Sequence, residues 1–259
     1  MAFMSQRQIP YKSSTTENGH RERSFNIPIS SSGRNISLKI SEPDIRADNL
    51  VFETWASSFI MAGQLHRLSI PTPSTYQNSL SVLELGAGTG LVGLTAATLW
   101  HTEAVLTDLS PNVSGMATNI ALNRSLVAEY GGSARCGTLD WRNPSELLLV
   151  SGENDESEQR SNRHKANVIL AADVIYDEDH PELLFNVVTT WLRRDQDARF
   201  IITWPLRVAY LDQIREIWER LEAAGLEAIQ ELRETANGAQ WDDELQCECV
   251  VWKWRETTS

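Results

Sequence analysis

Hydrophobic residues follow two alternating patterns between residues 80 and 224. Short apolar runs typical of buried strands occur at 81–85, 104–109, 133–139, 167–172 and 199–204. The segments between them predict helices over 91–100, 111–123, 181–192 and 208–224. Strands that alternate with helices are typical of an α/β fold with a mostly parallel sheet.

The N-terminal part of the chain does not follow this alternation. Residues 1–23 are polar and have no hydrophobic period, so they predict a flexible tail. Apolar and polar residues alternate over 24–29 and 35–40, on either side of Ser31-Ser32-Gly33-Arg34. This pattern predicts an N-terminal β-hairpin extension over 24–48.

The remaining residues, 49–259, are expected to form one domain. A helix is predicted near 49–67, and two strands over 226–233 and 246–254 are compatible with an antiparallel pair at the sheet edge. The segment 151–165 is almost wholly polar and predicts a surface loop within this domain.

Composition and charge narrow the range of partners. Of the 259 residues 41% are hydrophobic, and the formal net charge is −12. Nucleic acids and anionic membranes attract clustered Lys and Arg, which such an acidic chain does not favour. No apolar run approaches the roughly 18 residues of a membrane span. We therefore expect a cytoplasmic monomer that binds neither nucleic acid nor membrane. Its binding partner is expected to be a basic molecule or a neutral small molecule.

The cysteines Cys136, Cys247 and Cys249 are too few and too oddly spaced for a disulfide framework, which indicates a reducing compartment. Cys247 and Cys249 could ligate a metal, but alternate residues of a strand also point the same way. No histidine lies nearby to complete a tetrahedral site, so the strand is favoured and no metal site is expected.

The strongest chemical signal is the segment 82–93, VLELGAGTGLVG, in which an apolar strand runs into a glycine turn and then a helix. Gly86, Gly88 and Gly90 permit a tight turn and a close approach of a ligand to the backbone, with a helix N-terminus behind them. A nucleotide-like ligand is expected over this turn. The same letters also match the dinucleotide pattern G-x-G-x-x-G, and glycines alone can serve only a tight turn.

Two carboxylates distinguish the ligand classes. Glu84 precedes the turn, where a negative charge would suit a positively charged sulfonium rather than a pyrophosphate. Asp108 ends the second strand roughly 20 residues after the turn, the spacing that suits ribose hydroxyls. Helix capping is the structural alternative for Asp108.

The segment 169–177, ILAADVIYD, ends another predicted core strand. Ligands of open α/β sheets lie beyond the carboxyl ends of the strands, so Asp173 and Tyr176 should line the same crevice as the glycine turn. The structural alternative makes Asp173 a helix cap and Tyr176 a core aromatic.

Four ordered motifs between about residues 49 and 207 resemble the seven-β-strand, class I protein-lysine methyltransferases that modify elongation factors and chaperones. The motifs are ELGAGTGLVG at 84–93, TDL at 107–109, LDW at 139–141 and AADVIY at 171–176. The resemblance implies a Rossmann-like seven-stranded sheet with an antiparallel C-terminal strand, S-adenosyl-L-methionine as cofactor and a lysine-bearing protein substrate. It also implies cofactor contacts by Trp55, Gly86, Ala87, Gly88, Asp108, Trp141 and Ala172.

In that family the D-x-x-Y motif, which Asp173 and Tyr176 match, is associated with methyl transfer to the substrate. The leading hypothesis is thus transfer of a methyl group to a protein lysine. Small-molecule N- or O-methylation with the same cofactor domain, an NAD-dependent dehydrogenase and a non-catalytic binding subunit are the alternatives. For Trp141, a place in the core is the alternative to adenine stacking.

Overall fold

The computed structural model describes residues 11–15, 21–44, 46–47, 50–68, 70–71, 80–150, 158–161, 164–236 and 246–256. A three-stranded antiparallel sheet formed by the N-terminal part packs beside a central sheet of nine strands. The N-terminal strands are β1 (Tyr11–Thr15), β2 (Arg21–Pro28) and β3 (Asn35–Glu42), followed by the short β4 (Arg46–Ala47) and β5 (Leu50–Val51).

Strands β2 and β3 form the predicted N-terminal hairpin, in which Ile27 pairs with Ile36 and Gly33 has a φ of +86°. The prediction of a flexible tail is wrong for residues 11–15 and 21–23, because β1 pairs antiparallel with β2. Strand pairing uses backbone groups and needs no hydrophobic period. The rest of that predicted tail, 1–10 and 16–20, lies outside the described residues.

The central domain opens with α1 (Ala56–Gln64) and a 3₁₀ turn (Leu65–Arg67). The elements that follow are β6 (Leu80–Leu85), α2 (Leu91–Trp100), β7 (Glu103–Asp108), α3 (Ser110–Glu129), β8 (Ser133–Thr138), β9 (Glu146–Leu149), β10 (Glu158–Ser161), β11 (Ala166–Ala172), α4 (His180–Trp191), β12 (Arg199–Pro205), a 3₁₀ turn (Val208–Tyr210), α5 (Leu211–Ala223), β13 (Leu226–Thr235) and β14 (Gln246–Trp254).

The strand order is β10-β9-β8-β7-β6-β11-β12-β14-β13. The strands from β8 to β12 in this order run parallel, and β14 lies antiparallel between β12 and β13. The predicted Rossmann-like, mostly parallel sheet with an antiparallel C-terminal strand is therefore confirmed.

The sheet is wider than the seven strands expected, because β9 and β10 extend it beyond β8. In β9 the alternation is clear but short: Leu147 and Leu149 are buried while Leu148 is exposed. Strand β10 lies inside the segment predicted to be a loop, so that prediction is wrong for 158–161. Residues 151–157 and 162–163 lie outside the described part.

Core residues cover both faces of the parallel strands. Strands β6, β11 and β12 are buried along their whole length. The N-terminal sheet and α1 to α3 pack on one face, and α4 and α5 pack on the other. Because the crossover helices lie on the faces, the carboxyl ends of the parallel strands remain together at one edge.

The C-terminal strand β14 belongs to the core. Trp252 and Trp254 are buried, and the Trp254 indole Nε1 donates to the Arg193 carbonyl at 2.7 Å. Both tryptophans are therefore part of the core. Cys247 and Cys249 are buried in the same strand, which confirms the strand interpretation. Among the helices of the described residues, none has both the length and the apolarity of a membrane span.

Candidate active site

The carboxyl ends of β6, β7 and β11 open into one cleft of about 970 Å³, counting the space open to solvent. In open α/β folds, ligands bind at this edge of the sheet. Of the predicted site residues, those that line the cleft are Trp55, Gly86, Ala87, Gly88, Asp108, Trp141, Ala172, Asp173 and Tyr176. Glu84 and Gly90 lie elsewhere.

The glycine turn approaches the cleft with its backbone. Gly86 and Gly88 have φ values of +61° and +51°, a region that L side chains rarely adopt. A Cβ on Gly86 would lie 2.9 Å from Cγ1 of Val174, whereas a Cβ on Gly88 would meet no atom within 4 Å. The space over Gly88 is thus open to a ligand.

Gly90 is the residue before α2, with a φ of +82°. A Cβ at this position would lie 2.5 Å from Cδ2 of Leu106 in β7. Gly90 is not among the residues that line the cleft, and its missing side chain permits close packing of the turn on the sheet.

Glu84 lies in β6, as expected, but is not among the residues that line the cleft. Its side chain is buried, and Oε2 accepts a hydrogen bond from the Gly93 backbone N–H at 2.9 Å. Burial raises the pKa of this carboxyl to about 8, against the opposing effect of the Gly93 hydrogen bond and with a further contribution from Asp108. Burial therefore favours the neutral form of Glu84. Its contact with Gly93 joins β6 to α2.

Asp108 is held at the end of β7 by three donors. Oδ2 accepts from the Gly88 backbone N–H at 2.7 Å, and Oδ1 accepts from the Leu109 N–H at 2.7 Å and from Nδ2 of Asn112 at 2.9 Å. The hydrogen bond to Gly88 joins the second strand directly to the glycine turn.

Asp173 follows β11 with a left-handed backbone, at a φ of +58°. Its N–H donates to the Thr203 carbonyl of β12 at 2.9 Å, and its side chain is only 5% exposed. Oδ2 accepts from the Ser57 hydroxyl at 3.1 Å, and Oδ1 lies 3.5 Å from Nη1 of Arg207. Burial raises the pKa of Asp173, while the Arg207 guanidinium and the Ser57 hydroxyl oppose that rise. This carboxylate is therefore poised to accept a cation.

Aromatic rings form one wall of the cleft beside Asp173. The Tyr176 and His180 rings meet edge to face with centroids 4.3 Å apart, and His180 lies 5.9 Å from the Trp141 ring. The Tyr176 backbone N–H lies 3.4 Å from Nδ1 of His180. The arrangement favours a partly apolar surface at which a nitrogen nucleophile can be desolvated.

The cleft is also tied to the N-terminal sheet. The Glu42 carboxylate accepts from the Thr54 N–H at 2.9 Å and pairs with the buried Arg23 guanidinium at 3.3 Å. The Thr54 hydroxyl in turn lies 2.9 Å from the hydroxyl of Thr89 in the glycine turn. Trp55, which lines the cleft, comes directly after Thr54, so this chain of contacts fixes its backbone.

Two asparagines of α3 hold the edge of β3. Asn119 accepts from the Ser41 N–H at 2.8 Å and donates to the Ser41 carbonyl at 3.2 Å and the Thr89 carbonyl at 3.0 Å. Asn123, one helical turn later, makes the same pair of hydrogen bonds to the Lys39 backbone, at 2.9 and 2.7 Å. Their amides extend β3 as a neighbouring strand would.

Comparison with known proteins decides the family. The profile described as lysine methyltransferase matches residues 34–210, more than half of the chain. The chain belongs to this lysine methyltransferase family. The match includes β3, the glycine turn, Asp108, Asp173 and Arg207.

Three curated proteins are among the relatives of this chain. The chain is 32% identical over 207 residues to protein-lysine N-methyltransferase rrg1 of Schizosaccharomyces pombe, covering 80% of this chain and 62% of that protein. It is 33% identical to protein-lysine N-methyltransferase EFM2 of Saccharomyces cerevisiae, covering 75% and 46%. It is 36% identical to methyltransferase-like protein 22 of Mus musculus, covering 46% and 30%. The chain spans less than two thirds of the length of each of these relatives.

Sequence motifs do not identify several residues that lie around the site. Ser57 and His180 lie in helical segments without a motif, and only the fold brings them to the cleft or to Asp173. Arg207 also lies outside the motifs, and only the fold brings its guanidinium to 3.5 Å from the Asp173 carboxylate.

Proposed function

We propose that this protein transfers a methyl group from S-adenosyl-L-methionine to a lysine side chain of a protein. The observation that carries the proposal is the single cleft in which the glycine turn, the carboxylate of Asp108 and the carboxylate of Asp173 lie together. Membership of the lysine methyltransferase family supports the same reaction.

The cleft fits this cofactor by its shape and its donor set. The open space over Gly88 suits close approach of a ligand, and Asp108 is fixed where it can accept from ribose hydroxyls. Trp141 offers a ring for the adenine, and Trp55, 36% exposed, offers a second apolar surface. The antiparallel β14 between β12 and β13 further favours a methyltransferase over a dehydrogenase, whose dinucleotide-binding sheet is built from parallel strands.

In the proposed reaction Asp173 attracts and orients the lysine ammonium. When bound, S-adenosyl-L-methionine would supply a methyl group on a positively charged sulfur, which would leave as a neutral thioether. The lysine ammonium must first release its proton to solvent, and the nitrogen lone pair can then form the new bond to carbon. The aromatic wall of Trp141, Tyr176 and His180 limits water around that nitrogen, which favours the neutral amine and holds it in line.

We propose a neutral or basic protein segment as the substrate. Asp177, Glu178 and Asp179 are exposed directly after Tyr176, and the net charge of the chain is −12. This acidic rim would attract a segment rich in Lys and Arg. Elongation factors and chaperones, which the sequence resemblance implies, are the first candidates. We expect the enzyme to act as a cytoplasmic monomer without nucleic acid.

The experiment combines cofactor binding with methyl transfer. Calorimetry should detect S-adenosyl-L-methionine and its demethylated product but not NAD. With radiolabelled cofactor and cell lysate, label should enter a protein band and survive base treatment, as methylated amines do. Label confined to the small-molecule fraction would favour the small-molecule alternative, and binding of NAD alone would refute the proposal.

An Asp173→Asn variant tests the role of the carboxylate. We expect the turnover to fall by at least about a hundredfold, because the neutral amide cannot attract the ammonium, while the affinity for the cofactor changes little. Asp212→Asn, on the exposed start of α5, is the matched control and should behave like the unchanged protein. Full turnover by the Asp173 variant would contradict the assigned role.

A further inference from the structure

We infer that Arg207 occupies the acceptor site of the empty enzyme, so that its guanidinium holds the place on Asp173 that the substrate ammonium takes. The inference rests on the proposed function and deepens it. Arg207 is then a positioning residue, which keeps the acceptor carboxylate ionised and excludes other cations until the substrate arrives.

Two side chains flank the Asp173 carboxylate. Its side chain is 5% exposed, with one oxygen bonded by Ser57 and the other 3.5 Å from Arg207. Among the described residues, these two are the side-chain hydrogen-bond partners that the carboxylate has. A lysine ammonium that pairs with Oδ1 of Asp173 would take the position that the Arg207 guanidinium holds now. Of the two, Arg207 is the one that carries the same charge and the same kind of donor as the substrate.

Along the sheet edge, Arg207 is next to Asp173, because β12 is the neighbour of β11. The order β7, β6, β11, β12 sets Asp108, the glycine turn, Asp173 and Arg207 side by side. A cofactor over the turn, with its ribose at Asp108, lies on the β6 side of Asp173. The acceptor must approach from the opposite side for an in-line displacement. Arg207, which follows β12, lies on that opposite side.

The charge on Asp173 favours one cation beside it at a time. A buried carboxylate without a partner is costly and becomes protonated, so a cation beside Asp173 preserves its charge in the absence of substrate. Two cations on one buried carboxylate would repel each other. Arrival of the ammonium therefore favours departure of the guanidinium, and the charge of the site remains balanced throughout.

The Arg207 side chain can move away from Asp173 while its backbone stays in place. Its side chain is 30% exposed and lies in the short segment between β12 and the 3₁₀ turn that begins at Val208, a residue 87% exposed. The backbone of Arg207 is held by hydrogen bonds to Pro205 and from Tyr210. Rotation of the long side chain alone would move the guanidinium towards solvent without breaking these contacts.

The decisive experiment is an Arg207→Lys variant incubated with cofactor and no other substrate. If Arg207 holds the acceptor position, the new amine should lie on Asp173 and be methylated by its own active site. Intact-mass measurement should detect the added methyl groups, and peptide mapping should locate them at position 207. We expect at least a tenfold gain over the unchanged protein. The control is Arg233→Lys, because Arg233 pairs at 2.7 Å with the carboxylate of Glu248, which is not among the residues that line the cleft.

An Arg207→Ala variant provides a second, independent measurement. Removal of the guanidinium should let n-butylamine, the side-chain fragment of lysine, reach Asp173 and become methylated at least tenfold faster than with the unchanged enzyme. The inference is overturned if neither variant gains its reaction while the unchanged enzyme still labels its protein substrate. Failure of the unchanged enzyme to bind the cofactor would instead overturn the proposed function.

Discussion

Replacing Asn119 with alanine should destabilise the fold and weaken the cofactor site at the same time. The side chain is fully buried and connects α3 with two backbone segments, Ser41 in β3 and Thr89 in the glycine turn. Alanine keeps the helix but removes the amide. The N–H and carbonyl of Ser41 and the carbonyl of Thr89 then lose a buried partner.

The size of the effect follows from these three groups. A buried polar group without a partner costs about 1–3 kcal/mol, and the costs of neighbouring groups overlap. We therefore expect the free energy of unfolding to fall by about 3–5 kcal/mol. Because Thr89 lines the cleft, a displaced turn should also raise the dissociation constant of the cofactor about tenfold, equivalent to about 1.4 kcal/mol.

Urea unfolding and calorimetry measure the two effects separately. Asn186→Ala, at an exposed position of α4, is the control and should change stability by no more than about 0.5 kcal/mol. In a double-mutant cycle, the variant with both Asn119→Ala and Asn123→Ala should lose less stability than the two single losses added together. The reason is that both amides hold β3. If Asn119→Ala unfolds like the unchanged protein and binds the cofactor equally well, this account of how the N-terminal sheet supports the cleft is refuted.

Three further changes test individual contacts. Asp108→Ala should weaken cofactor binding in calorimetry by at least about tenfold, because it removes the carboxylate that joins Gly88 to the ribose site; unchanged affinity would contradict that role. Glu84 has a folded pKa of about 8 against an ordinary value of 4.5, so its contribution to stability is complete below about pH 4.5 and is lost as the pH rises through 8. Glu84→Gln should lack this loss. Its free energy of unfolding in urea, relative to that of the unchanged protein, should therefore rise by about 2 kcal/mol between about pH 6 and about pH 8. A difference that stays constant with pH would refute the burial argument. Gly88→Ala should lose cofactor affinity in calorimetry, since the new methyl enters the cleft. Gly33→Ala, with a similar positive φ outside the cleft, is the control and should lose only about 1 kcal/mol of stability. Equal affinities in the two variants would exclude a close approach of the cofactor at Gly88.

The sequence alone determined the alternation of strands and helices, the glycine turn and the two aspartates at strand ends. These features have local causes: a buried parallel strand is an apolar run, a tight turn needs glycine, and a strand end fixes where the following residue lies. For this reason the sequence alone predicts that Asp108 and Asp173 lie at one sheet edge.

The tertiary structure decided what each of these groups touches. Glu84 stands in the motif as a charged residue, but its burial favours the neutral form and its contact with Gly93 links β6 to α2. Strands β1, β9 and β10 were not predicted, because pairing at a sheet edge uses backbone groups that every sequence has. The contact of Arg207 with Asp173 joins residues 34 positions apart. Such long-range contacts, and the protonation states they set, arise only when separate elements pack together, so no local pattern in the chain records them.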